Sequence, residues 1–77
     1  MKILLADDEV EIRNVLRILL ANKGYEVLEA SNGADAVKAA NENKDIDLCI
    51  MDIMMPVMSG VDATAQIRHF SDMPYFS

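Results

Sequence analysis

"LCIMDIMMPVMSG", residues 48–60, carries four apolar side chains straight into a lone acid, Asp52. It then turns through three methionines and a proline to a Ser-Gly step. "KILLADDE", residues 2–9, repeats the first half of that design, with an apolar run over 3–6 ending on Asp7 and Asp8. Short unbroken apolar runs are the mark of strands covered on both faces, as in parallel sheets. Two such strands, each ending on carboxylates, raise the question of whether the acids meet.

The chain between them answers in part. Residues 9–23 switch to helical period, with Ile12, Val15, Leu16, Leu19 and Leu20 on one stripe that is expected to face the core. Gly24 suits the position just past a helix end, and Lys23 suits the negative pole of the helix dipole. "YEVLEA", residues 25–30, has strand composition but carries Glu26 and Glu29, which predicts an edge strand. Ser31 or Asn32 can cap a second helix reaching residue 41, with Ala36, Val37 and Ala40 inward. "IDLCIM", residues 46–51, is the third strand, and Ser59 caps a third helix over 60–69.

The pattern βαβαβα predicts an α/β fold, a doubly wound parallel sheet with right-handed crossovers. In strand order 1-2-3 the two acidic strand ends would lie about 9.6 Å apart, two strand spacings. In order 2-1-3 they are neighbours. The first strand is apolar on both faces and belongs in the middle, whereas the glutamate-bearing second belongs outside. Order 2-1-3 is therefore expected, with a topological switch point between strands 1 and 3, where open α/β sheets bind ligands.

Composition sets the outer limits. Seventy-seven residues allow one domain, 52% of them hydrophobic and 26% charged, which is globular usage. The net charge of −6 speaks against direct nucleic-acid binding by this segment. No apolar run approaches the ~20 residues of a membrane helix, and "MKILLAD" is too short for a secretory signal. The single cysteine, Cys49, lies in an apolar run, so a packing role and a reducing, cytoplasmic setting are expected. The methionines of residues 51–58 read as packing filler rather than a thioether copper site, since no His or Cys cluster accompanies them. His69 reads as a helix-end histidine.

Asp7, Asp8 and Asp52 gathered on one rim would repel one another without a cation. Oxygen ligands on two sides of a cleft suit Mg²⁺, and the start of the first helix favours an anion beside it. At this point "LLADDE" and "IMDIMMPVMSG", with the distance between them, resemble the receiver domain of bacterial two-component response regulators. The resemblance implies a flavodoxin-like fold of which residues 1–77 form a partial receiver domain. It implies that Asp52 is a phosphoacceptor for a sensor histidine kinase, in a module that assists its own phosphorylation and is not an enzyme in its own right. Asp8 and Asp52 would bind Mg²⁺ directly, Asp7 would act through water, and the backbone carbonyl of Met54 would add an oxygen. Pro56 and Gly60 would serve the tight turn into the third helix. Ile18, on the polar side of the first helix, falls where receivers contact the kinase.

The family also uses a Thr or Ser at the end of a fourth strand and a Lys at the end of a fifth. "DMPYFS", residues 72–77, reads as the start of that fourth strand, with Ser77 two residues short of the hydroxyl position. Slow phosphotransfer is therefore expected, as is an exposed edge on the third strand that invites a homodimer. The alternative function is a binding-only or dimerising module without phosphotransfer. A phospho-aspartyl hydrolase would need a D-x-D pattern, and "DIM" has no second acid there.

Overall fold

The computed structural model describes residues 1–76. Its sheet is built on β1 (Lys2–Ala6), whose residues Ile3, Leu4, Leu5 and Ala6 are all essentially inaccessible to solvent. Burying each of the three large side chains contributes roughly 1.5–3 kcal/mol, which makes this strand the anchor of a thin core. β2 (Glu26–Ala30) and β3 (Leu48–Met51) flank it in parallel, with Ala6 level with Ala30 on one side and with Met51 on the other. The predicted 2-1-3 order is present, and β4 (Tyr75–Phe76) extends it to β2-β1-β3-β4.

Three helices cover the sheet unequally. α2 (Gly33–Glu42) and α3 (Gly60–Ile67) pack side by side on one face. There Ala36, Ala40, Ala63 and Ile67 close over Leu4, Ala6, Cys49 and Met51. Small residues on both helices let the backbones come close to the sheet. Asn32 is the α2 cap: its Oδ1 accepts from the Asp35 N–H at 2.8 Å, and Ser59 does the same for Asp62 at 3.2 Å on α3. The Cys49 thiol is buried in this layer, and burial pushes its pKa up to about 12, so it stays a neutral packing group.

α1 (Val10–Asn22) lies alone on the opposite face, over β2 and β1. Its end is as expected: Gly24 takes a left-handed φ of 87°, Gly24 N–H bonds to Ala21 O and Tyr25 N–H to Leu20 O. These two bonds make a Schellman closure. The inward stripe, however, is only half right. Leu16 and Leu20 are partly buried, but Ile12, Val15 and Leu19 remain 45%, 57% and 55% exposed. The helix packs chiefly on β2 and β1, and among the described residues no other element makes an extensive contact with it.

The expected open edge on the third strand is also corrected. Cys49 and Ile50 are paired with Tyr75 and Phe76, and Cys49 N–H bonds to Pro74 O at 2.9 Å. The cause lies in the preceding loop. Arg68 Nη1 donates to Met73 O at 2.7 Å and to Ser71 O at 3.2 Å, Met73 is buried, and the Arg68 guanidinium stacks on the Tyr75 ring. Together they lay the chain alongside β3, and the outer edge passes to β4. Ser77, two residues short of the family's hydroxyl position, lies outside the described residues.

Candidate functional site

At the carboxyl end of the sheet, the ladder itself brings the acids together. Asp7 N–H bonds to Ala30 O of β2 at 3.0 Å, and Asp52 N–H bonds to Ala6 O of β1 at 2.9 Å. Each strand thus releases its chain at the same level. The next atoms along are the carboxylates of Asp7, Asp8 and Asp52, with one ligand oxygen from each lying within 4.8 Å of the others. Asp7 and Asp52 are partly buried and Asp8 is exposed.

Two of the carboxylates are held from their own backbone. Asp7 Oδ1 accepts from the Glu9 N–H at 2.9 Å, and Asp52 Oδ1 accepts from the Met54 N–H at 3.0 Å. Both are local Asp-to-backbone turns in which one oxygen is fixed and the other is left free. Met54 therefore does sit beside Asp52, through its amide, while its side chain is turned into solvent. His69 is exposed at the far end of α3 and takes no part.

An octahedral Mg²⁺ with ~2.05 Å bonds spans at most about 4.1 Å between opposite ligand oxygens. With one oxygen of each acid within 4.8 Å of the others, the three carboxylates are close enough to share one such ion, directly or through water. An open cleft of about 500 Å³, lined by Asp8, Ile53, Met54, Met55, Pro56 and Ser59, adjoins the cluster. It leaves room for a phosphoryl-sized group next to the acids.

The loop from Asp52 to α3 is as tight as the sequence demanded, but for partly different reasons. Gly60 is the close-approach residue: a Cβ there would overlap Asp52 O and stand 2.8 Å from Ile53 Cα. Pro56 is followed by Val57 at φ 68°, and Met58 N–H closes back on Pro56 O at 2.7 Å. That is a γ-turn with a left-handed centre, a strained form that is worse for a β-branched residue. Val57 is 85% exposed and packs on little. Val57→Gly is expected to raise stability by about 1 kcal/mol, the relieved strain of ~1–3 kcal/mol outweighing the added chain entropy. Thermal melting followed by circular dichroism would show it, and an unchanged or lower midpoint would count against the turn.

Gly33 and Arg13 were not singled out from the sequence. Gly33 opens α2, and a Cβ on it would overlap the carbonyl of Met58, so the same loop is pressed against a second helix. "SNG" reads as a cap and gives no hint of that contact. Arg13 Nη1 donates to Asp7 O at 2.7 Å, tying α1 to the acidic loop.

The family model of the response regulator receiver domain matches residues 3–76. The chain is 37% identical over 73 residues to the transcriptional regulatory protein CpxR homolog of Haemophilus influenzae, covering 95% of this chain and 31% of that protein. Response regulator protein TrrA from Thermotoga maritima, solved in complex with Mg²⁺ and BeF, aligns with a TM-score of 0.82 at 41% identity, covering 88% of this chain and 58% of that one. The structure of histidine kinase ThkA in complex with TrrA aligns at 0.86 and 39%, covering 96% and 64%. The chain thus spans about a third of the length of its curated relative. The parallel sheet with three helices is that of flavodoxin-like receiver domains, and no helix among the described residues is long and apolar enough to cross a membrane. The chain belongs to the response regulator receiver domain family of two-component signal transduction.

Proposed function

We propose that this chain is the phosphoacceptor part of a receiver domain, taking a phosphoryl group onto Asp52 from the phosphohistidine of a sensor histidine kinase. The observation that carries the reading is the convergence of Asp7, Asp8 and Asp52 within 4.8 Å at the switch point between β1 and β3. With Oδ1 of Asp52 engaged by Met54 N–H, Oδ2 is the nucleophile. It forms the new O–P bond while the P–N bond breaks, and the imidazole leaves with the electron pair. Asp8 and Asp52 would hold Mg²⁺ directly, Asp7 through water, and Met54 would contribute its carbonyl. The ion, when bound, neutralises charge on the transferring group. The protein's own part is chiefly to orient the acceptor oxygen.

The partner is a histidine kinase, in keeping with the complex formed by the similar TrrA. A cytoplasmic setting, in keeping with the buried free thiol of Cys49, and a longer receiver of which residues 1–77 are part complete the proposal. Incubation with a small acyl-phosphate donor and Mg²⁺ tests it by intact mass. One base-labile phosphoryl group should be gained, and it should vanish in EDTA and in Asp52→Asn. A gain that survives Asp52→Asn would sink the assignment.

A second reading, a binding-only or dimerising module, is favoured by the exposed Ile12, Val15 and Leu19 of α1 and by Phe76 on the outer edge of the sheet. It predicts kinase binding or self-association that is indifferent to Asp52→Asn, with no phosphate taken up.

A further inference from the structure

Among the backbone groups of the acidic loop, the Asp7 carbonyl is met by a side chain rather than by the sheet or the α1 backbone. The carbonyl of Asp7 lies just past the last ladder bonds, and it precedes the first turn of the helix. Arg13 reaches back along α1 to meet it, Nη1 to O at 2.7 Å. The same guanidinium gives its Nε to Glu29 Oε1 of β2 at 3.1 Å, and Arg17 Nε stands 3.6 Å from the other oxygen of Glu29. The Arg13 side chain is only 15% exposed. One planar group therefore spans α1, β2 and the loop, and its fork geometry leaves it little freedom.

The Asp7 carbonyl belongs to the peptide that joins Asp7 to Asp8. A net change in the backbone torsions on either side of that peptide would move the Asp8 carboxylate relative to that of Asp52. We infer that Arg13, anchored by Glu29, is a positioning residue that sets the Asp7–Asp8 peptide so that the acids present their oxygens to one cation. The inference rests on the magnesium reading of the cluster. Partners of this kind, one step removed from a ligand, commonly alter metal affinity when removed.

Charge and geometry predict opposite outcomes here, which makes the inference decidable. A cation beside a dication site repels Mg²⁺, so removing Arg13 for its charge alone would tighten binding. Removing it as a positioning group would weaken binding. The Mg²⁺ affinity of the 77-residue chain is measured by titration calorimetry for wild type, Arg13→Gln, Arg13→Lys and Glu29→Gln, with melting in EDTA for each. About a tenfold weakening is expected in Arg13→Gln. Arg13→Lys should recover part of it, and Glu29→Gln should show a smaller loss in the same direction. Equal or tighter binding in a folded Arg13→Gln would overturn the inference. If that variant does not fold, Glu29→Gln with wild-type affinity would overturn it instead. A wild-type chain that binds no Mg²⁺ would remove the magnesium reading itself, a result distinct from either.

Discussion

Gly60→Ala is expected to destabilise the chain by about 3 kcal/mol or more, beyond the usual range for an added methyl in a core. The reason is what the new Cβ would strike. It would overlap Asp52 O, and it would lie 2.9 Å from Asp52 C and 2.8 Å from Ile53 Cα. All three are backbone atoms, so no side-chain rotation can relieve the contact. Gly60 N–H also bonds to Ile53 O at 3.1 Å, which pins the helix start to the loop. To make room, α3 would have to lift, taking Ala63 and Ile67 off the sheet, where both are fully buried. For a domain of 60–100 residues, each kcal/mol moves the midpoint by roughly 4–8 °C, so a fall of more than about 12 °C is expected in thermal melting. A midpoint within a few degrees of the parent would contradict the packing described for this loop. Gly24 offers the contrast. Nothing lies near its missing Cβ, and only its left-handed φ of 87° is at stake, so Gly24→Ala should cost about 1–2 kcal/mol.

Mg²⁺ is expected to produce the second large effect. A ligand that binds only the folded state at a hundred times its Kd stabilises by about 2.7 kcal/mol, which for a chain this size is roughly 10–20 °C. Asp8→Asn and Asp52→Asn should remove most of that gain, because each deletes an anionic ligand from a cluster of three. In EDTA the order should reverse. Three carboxylates within 4.8 Å repel, so Asp52→Asn without metal should melt higher than wild type. Melting curves in EDTA and in saturating Mg²⁺, at matched ionic strength, give both signs at once. A Mg²⁺ shift that persists unchanged in Asp52→Asn would mean that the ion binds elsewhere.

How much was legible before the fold was known depends on how local each signal is. The apolar run over residues 3–6 and the glutamates of 25–30 were enough to put the first strand in the middle and the second outside. The sheet is built that way, with Ile3 to Ala6 buried on both faces. The acids followed from that order, because neighbouring parallel strands end level. Helix caps at Asn32 and Ser59 and the Gly24 closure are also short-range, and all three are present. The left-handed φ of Val57 has no sequence signal, because a β-branched residue is the type that least favours it, and the turn from Pro56 to Met58 imposes it.

The primary structure thus carried the periodicity, the caps, the strand order and the places where carboxylates leave the sheet, since each is written in residues a few positions apart. Folding in space settled the rest. The exposure of Ile12, Val15 and Leu19 depends on whether another element lies against α1, which periodicity along one helix does not record. The β4 pairing depends on Arg68 bonding the carbonyls of Ser71 and Met73, so that this loop runs alongside β3. The Arg13–Asp7–Glu29 clamp and the contact of Gly33 with Met58 join residues whose meeting no spacing foretells. A residue's own chemistry states what it can bond to; only the packed chain states what stands within reach.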